Sequence, residues 1–338
     1  MSSSELIRVL VTQPFAPKLI QSIQSISSRL KIKHIPTKNP EDLKKYWATV
    51  EVLYTAKLVP KPEQAPRLSW IQAHFAGIEH LLKHPITNQV HLTTASGVGA
   101  KSIAEYVIGG LLSLNHHIPG FLEHQSKKIW SPKRLQIFVP SELQNTTLGI
   151  IGYGGIGQEI AHLANAFGMK ILVTKRDISE PSINSWQFPN PSKIQQDLVA
   201  KLYLPEHLHI MLKHCDYIVA AVPLTEKTKH MISSSEFSAM KKGTVLVNIS
   251  RGKVVDELAL INALQTGHLR GAILDVFETE PLDVKSPLWT LPNVILSPHV
   301  SGLTPNYDQR AVELFANNLE KYLSGQPLLN EVNIIRGY

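Results

Sequence analysis

Cysteine is almost missing from this chain. Among 338 residues only Cys215 carries a thiol, so no disulfide can form within it. No apolar run approaches the roughly 20 residues that a membrane-spanning helix needs. Like charges never gather into a run of five or six, although the net charge is +7. Positive charge scattered in this way argues against a nucleic-acid partner and for mild attraction of small anions. The opening Met1-Ser2-Ser3-Ser4-Glu5-Leu6 lacks the basic and then apolar layout of a signal peptide. These absences fit a cytoplasmic enzyme. The histidines include His74, His80, His84 and His91, but at no recognised zinc spacing, so no metal site is expected. Cys215 precedes the apolar run Asp216–Val222 and reads as a small packing residue.

What is present is ordinary in bulk. A content of 43% hydrophobic and 18% charged residues is that of a globular protein, and the length suits two domains. The first hundred residues alternate short β-like runs with helical patterns. Ile7–Val11, Val52–Tyr54, Leu68–Ala73 and Val90–Thr94 read as strands, Pro17–Arg29 and Pro40–Trp47 as helices. That alternation predicts a parallel sheet with helical crossovers. An apolar helix follows from Ser102 to about His117, opened by the capping-box pattern Ser102-x-x-Glu105.

The most specific local pattern is Leu148-Gly149-Ile150-Ile151-Gly152-Tyr153-Gly154-Gly155-Ile156-Gly157. An apolar run ends in Gly152-x-Gly154-x-x-Gly157, and a helical stripe of Ile156, Ile160, Leu163, Ala164 and Phe167 follows. This is the form of a strand, a tight turn and a helix N-terminus able to hold a pyrophosphate. A second strand series starts there: Leu148–Ile151, Lys170–Thr174, Asp216–Val222, Thr244–Ile249, Gly271–Val276 and Asn293–Ser297, with a helix over Asp256–Thr266. Residues Ile178–Leu204 read as an interrupting surface loop before a helix over Glu206–Lys213. A last helix starts near Thr304-Pro305 and runs to about Leu323. The tail beyond it has no alternation of its own, which predicts that it packs back on the N-terminal unit.

In an open α/β sheet, ligands sit outside the carboxyl ends of the strands. Just past those ends stand Lys175, Arg176, Arg251, Glu280 and His299. Each alone could be a solvated loop residue; together they form a chemistry. Hydride transfer to a carbonyl needs a proton donor for the developing alkoxide, and histidine serves near neutral pH. A carboxylate beside it favours the imidazolium and fixes the ring. An arginine can grip the carboxylate of a 2-ketoacid with two hydrogen bonds.

Asn248-Ile249-Ser250-Arg251-Gly252-Lys253-Val254-Val255-Asp256-Glu257, Asp275-Val276-Phe277-Glu278-Thr279-Glu280-Pro281-Leu282 and Ser297-Pro298-His299-Val300-Ser301-Gly302 resemble signatures of the D-isomer-specific 2-hydroxyacid dehydrogenases. Upstream, Trp70–Glu79, Ala95–Gly99 and Ala104–Tyr106 resemble that family's substrate-side loops and first crossing helix, so the resemblance covers nearly the whole chain. It implies an α/β fold: a doubly wound, Rossmann-like coenzyme domain (101–299) inserted in a smaller flavodoxin-like substrate domain (1–100 and 300–338). It implies Arg251 as substrate clamp, His299 as acid/base and Glu280 as its partner. Backbone N–H groups near Ala76-Gly77 and Val98-Gly99 would help hold the substrate carboxylate. Gly152, Tyr153, Gly154, Gly155, Ile156, Gly157, Val222, Pro223, Ile249, Ser250, Arg251, Asp275, His299 and Gly302 would meet the coenzyme, with Asp275 facing the nicotinamide. The domains would close over substrate, and members are usually homodimers through the coenzyme domain.

One departure bears on the coenzyme. NAD-dependent members usually end the second strand of this domain on an acid that binds the ribose. Here Lys175 stands 18 residues after Gly157, followed by Arg176, and the first acid is Asp177. A basic pair suits a 2′-phosphate, so NADP(H) is expected over NAD(H). The other reading sends the pair into water and gives the ribose to Asp177, with a contact from the Thr174 hydroxyl. The connection between Arg176 and Glu206 resembles the glyoxylate/hydroxypyruvate reductase branch, and a 2-ketoacid reductase is the function this implies. Glu280 with His299 speaks against formate dehydrogenases. Alternatives are a phosphite or phosphoglycerate-type dehydrogenase, although the chain stops too soon for the long regulatory extension, and a dinucleotide-sensing corepressor-like protein. Phe75 and Tyr307 are candidates for an apolar wall beside the substrate.

Overall fold

The computed structural model describes residues 5–176, 186 and 198–337. Its strands are β1 (Ile7–Val11), β2 (Leu30–His34), β3 (Val52–Thr55), β4 (Trp70–Ala73), β5 (His91–Thr93), β6 (Thr147–Ile151), β7 (Lys170–Thr174), β8 (Val199–Tyr203), β9 (Tyr217–Ala220), β10 (Thr244–Asn248), β11 (Leu269–Leu274) and β12 (Val294–Leu296). Its helices are α1 (Pro17–Gln24), α2 (Lys44–Trp47), α3 (Glu79–Leu82), α4 (Ala100–Asn115), α5 (Ile118–Ser126), α6 (Arg134–Ile137), α7 (Gly155–Ala166), α8 (Leu208–Leu212), α9 (Ser234–Ala239), α10 (Glu257–Gln265) and α11 (Tyr307–Leu323).

The chain divides into two compact units. One holds the residues up to Val98, Trp186, and the residues from Thr304 onward. Its sheet is parallel in the order β2-β1-β3-β4-β5. Side chains alternate between two cores, as the period-2 pleat requires. Leu10, Leu53 and Ile71 pack with Leu43, Trp47 and Leu81 on one face. Val9, Val11, Tyr54 and Trp70 pack with Ile23 of α1 and Phe315 and Leu319 of α11 on the other.

The second unit contains Gly99 to Leu303 apart from that inset. Seven parallel strands run in the order β12-β11-β10-β9-β6-β7-β8. From β6 the chain first winds outward to β7 and β8, then returns to β9 on the other side. The switch point therefore lies beside β6, where open α/β sheets bind ligands. Cys215 is fully buried and its thiol donates to the Met211 carbonyl; burial pushes its pKa up to about 12, so it is an inert packing group.

Several elements differ from the sequence expectations. β2 was hidden by its alternation of Leu30, Ile32 and His34 with Lys31 and Lys33, a pattern suited to a sheet edge. α1 correspondingly stops at Gln24. Part of the expected loop Ile178–Leu204 is the edge strand β8; the rest, except Trp186 and the residues flanking β8, lies outside the described residues. α4 begins at Ala100, so Ser102 is not its cap: the Ser102 hydroxyl donates to the Ser301 carbonyl instead. Likewise Thr304-Pro305 forms a turn before α11, with Tyr307 N–H donating to the Thr304 carbonyl. Helix α5 starts one residue past His117, whose left-handed φ of 56° redirects the chain.

Candidate active site

Three turns at the carboxyl edge of the second sheet build the site. The first is the glycine turn between β6 and α7. Gly152 has φ +100°, and a methyl group there would stand 2.6 Å from the Ala221 carbonyl oxygen. A methyl on Gly157 would meet the Gly152 carbonyl oxygen at 2.4 Å. Those two glycines are required by the protein's own packing. Gly154 differs: among the described residues nothing stands within 4 Å of where its side chain would project. It is the N-cap of α7 and brings no capping side chain. The helix N-terminus therefore presents backbone N–H groups and its positive dipole end over open space, which fits a dinucleotide pyrophosphate. The buried Tyr153 hydroxyl in this turn has no hydrogen-bond partner among the described residues. Val222 packs on Gly152 from the end of β9, with Pro223 exposed after it.

The second turn follows β10. The Asn248 side chain accepts from the N–H and hydroxyl of Ser250 and donates to the Arg251 carbonyl, shaping a tight Asx turn. Ile249 and Ser250 are buried, and Arg251 emerges half-buried with Nη1 donating to the Ser250 carbonyl.

The third turn joins β12 to His299. His299 Nδ1 lies 2.8 Å from Glu280 Oε2. A carboxylate oxygen only accepts, so Nδ1 carries the proton and Nε2 is left to exchange one. The other Glu280 oxygen accepts from Phe277 N–H, which fixes the carboxylate between the two loops. His299 itself adopts φ 55°, a conformation that costs a non-glycine residue on the order of 1 kcal/mol.

Asp275 explains how that conformation is held. Its carboxylate is buried and accepts from the Ser297 and Ser301 hydroxyls and from the N–H groups of Val300 and Ser301. The Tyr106 hydroxyl of α4 extends the chain through Ser297. Both Asp275 oxygens hold the His299 loop. Gly302 closes this loop near Gly99.

Lys175 and Arg176 stand directly past β7, half-buried and exposed respectively. The Thr174 hydroxyl accepts from Gly152 N–H. Asp177 lies outside the described residues.

The remaining predicted residues belong to the first unit, apart from Gly99. Ala76-Gly77 follows β4 and Val98 follows β5. The structure brings these loops together: Ala95 N–H donates to the Phe75 carbonyl. Asn330 clamps the same region, donating to the Thr94 and Ser96 carbonyls and accepting from Trp186 N–H. Sequence reasoning missed Asn248, Gly252, Ser297, Ser301, Trp186 and Asn330. Only the Asn248-x-Ser250 turn carried a readable local signal.

The family described as D-isomer specific 2-hydroxyacid dehydrogenase, NAD binding domain, matches residues 108–301. A glyoxylate reductase of Pyrococcus furiosus is 35% identical over 284 residues, covering 81% of this chain and 79% of that protein. A D-3-phosphoglycerate dehydrogenase of Methanocaldococcus jannaschii is 31% identical over 332 residues; these cover 97% of this chain and 60% of that longer relative. Among solved structures, a D-isomer specific 2-hydroxyacid dehydrogenase family protein from Aeromonas salmonicida matches with a TM-score of 0.79 and 30% identity, covering 98% of this chain and all of that one.

Proposed function

The chain belongs to the D-isomer specific 2-hydroxyacid dehydrogenases, NAD(P)-dependent oxidoreductases, and on that premise we propose that it is an NADPH-using reductase of small 2-ketoacids, of the glyoxylate/hydroxypyruvate type. The observation that carries the reading is the His299–Glu280 pair at 2.8 Å, on the sheet edge that also bears Arg251 and the open Gly154 turn. When bound, the nicotinamide coenzyme supplies the hydride that reaches the carbonyl carbon.

The chain's own groups do the rest. Arg251 grips the substrate carboxylate and polarises the adjacent carbonyl. As the carbon accepts hydride, the carbonyl π pair takes the proton held at His299 Nε2, and an alcohol forms. Glu280 keeps the ring oriented and balances the charge of the protonated imidazole. The turn Gly152–Gly157 and Ile156 hold the pyrophosphate, and Val222, Pro223, Ile249 and Ser250 border the coenzyme. Lys175 and Arg176 take the 2′-phosphate.

Steady-state kcat/KM with NADPH and NADH across a 2-ketoacid panel tests this directly. A clear preference for NADPH, weakened far more by Arg176→Ala than the NADH rate is, supports it. A clear NADH preference overturns the coenzyme assignment, and binding without turnover of any ketoacid overturns the reductase assignment.

The working form is a homodimer in this reading. Phe121, Leu122, Ile129, Trp130, Leu135 and Val139 are all exposed within one short span of the second unit. Such density of apolar exposure marks an interaction surface, and a second copy is the partner the family offers. Sedimentation equilibrium at micromolar concentration checks it; a monomer there is the contrary result.

A further inference from the structure

Two loops of the second unit carry Arg251 and Glu280, and side chains that the proton transfer does not use tie these loops together. Glu257 opens α10 on the Arg251 side, and Glu278 precedes Glu280 in the other loop. Glu257 N–H donates to Glu278 Oε1, and Glu278 N–H donates back to Glu257 Oε2. Each carboxylate thus takes the backbone proton of the other residue. Burial holds the Glu257 carboxyl above the ordinary carboxylate range, and the charge of Glu278 pushes the same way.

His230 supplies the donor that this exchange lacks. Its Nε2 lies 2.9 Å from Glu278 Oε1, the oxygen that also accepts from Glu257 N–H. A carboxylate oxygen only accepts, so Nε2 carries a proton. The backbone puts His230 in place. Its N–H donates to the Lys253 carbonyl, Ile232 N–H to the Val254 carbonyl and Asp256 N–H to the Ile232 carbonyl. The segment of His230 therefore runs alongside the residues that follow Arg251. His230 turns with φ 49°, a left-handed conformation uncommon outside glycine. The side chains of His230 and Glu278 are 40% and 32% exposed. An ion pair that exposed contributes little to stability; what it fixes is the position of one loop against the other.

We propose that His230 is a positioning residue: by bridging to Glu278 it sets the Glu280 loop against the Arg251 loop, and so sets how Arg251 meets the substrate carboxylate. This rests on the reductase reading above. Its loss should act on Arg251 more than on His299, because Glu280 is held independently by His299 Nδ1 and Phe277 N–H.

KM and kcat for glyoxylate, with the better of NADPH and NADH, are compared among the unaltered chain, His230→Asn, His230→Gln, Glu278→Ala and the double variant His230→Asn/Glu278→Ala. Asparagine tolerates the left-handed backbone but is too short to bridge; glutamine can place an N–H where Nε2 stood. Thermal unfolding and coenzyme fluorescence are followed alongside. His230→Asn should raise KM about fivefold with kcat changed less than about twofold. His230→Gln should restore most of the loss, and the double variant should be no worse than Glu278→Ala alone. Melting temperature and coenzyme affinity should stay near native. Native KM in His230→Asn overturns this proposal and leaves the reductase reading intact. So do no rescue by glutamine, additive effects in the double variant, or a KM change matched by lost stability or coenzyme affinity. Absence of turnover on every ketoacid by the unaltered chain, despite coenzyme binding, overturns the reductase reading and this proposal with it.

Discussion

Gly252 lies flat against Phe277: a methyl group on Gly252 would stand 1.8 Å from the Phe277 carbonyl carbon and 2.3 Å from Glu278 N. Arg251 precedes that glycine, and the Phe277 N–H holds Glu280. The loop bearing the proposed clamp and the loop bearing the histidine's partner are thereby stacked backbone on backbone.

Gly252→Ala should force these loops apart. Neither side of the contact is a flexible side-chain end, so a cost on the order of 3 kcal/mol is expected. Thermal unfolding reads the stability, and kcat/KM reads the displaced Arg251. A variant with native stability and native kcat/KM would show that the loops do not need this contact.

His299→Ala should lower kcat by about 100-fold or more while coenzyme binding persists, since it removes only the proton donor. Glu280→Gln keeps the reach of the side chain but removes the charge that faces His299 Nδ1, so kcat should fall by about tenfold or more while coenzyme binding persists. A native kcat in that variant would show that the pair is not needed for proton transfer.

Asp275→Asn keeps the shape of the side chain but turns an amide toward groups that donate. The donors that faced the replaced oxygen lose their acceptor, and the bracket that keeps His299 at φ 55° is weakened. The expected signature is a large fall in kcat with coenzyme affinity changed less than threefold. A loss confined to coenzyme affinity would return Asp275 to the nicotinamide.

His74 predicts an acid instability of the first unit. Its pKa is lowered from 6.5 to about 4 by burial, which outweighs the half-exposed Asp308 carboxylate 3.8 Å away. The unfolded chain takes up a proton that the folded chain refuses, so stability is lost as pH falls from 6.5 toward 4 and levels off below. The total is on the order of 3 kcal/mol. His74→Asn should flatten that part of the curve of melting temperature against pH. The same slope in the variant would place the sensitivity elsewhere.

Trp186 should act through position. Its ring packs with Ala95, Val98 and Leu314, and its carbonyl oxygen lies 3.0 Å from where a Gly97 side chain would begin. Trp186→Ala should loosen the Ser96–Val98 loop and raise KM for the ketoacid more than it lowers kcat, with Trp186→Phe restoring most of the loss. Equal effects on both constants would point to general destabilisation instead.

Much of this architecture is written in local pattern. Gly152-x-Gly154-x-x-Gly157 announces its turn because each glycine answers a steric or access demand within a few residues. β7 was read at its observed bounds, and the strands of the second series were read at nearly theirs, because buried parallel strands are continuous apolar runs. β2 and β8 escaped because edge strands carry exposed lysines and resemble loops. Ser102 misled because its hydroxyl has two equally good uses, a helix cap or the Ser301 carbonyl 199 positions away. Only the packed chain decides between them.

The sequence by itself determined the alternation of strands and helices, the glycine turn, and the order of Arg251, Glu280 and His299 along the chain. Those follow from periodicity and turn chemistry, which act over a few residues. The tertiary structure alone decided that Asp275 holds the His299 loop, that Gly252 is pressed on Phe277, and that Trp186 and Asn330 meet the Thr94–Val98 loop. Each depends on contacts between residues far apart in the chain, and no local propensity records which distant group will satisfy a buried carboxylate or fill the space beside a glycine.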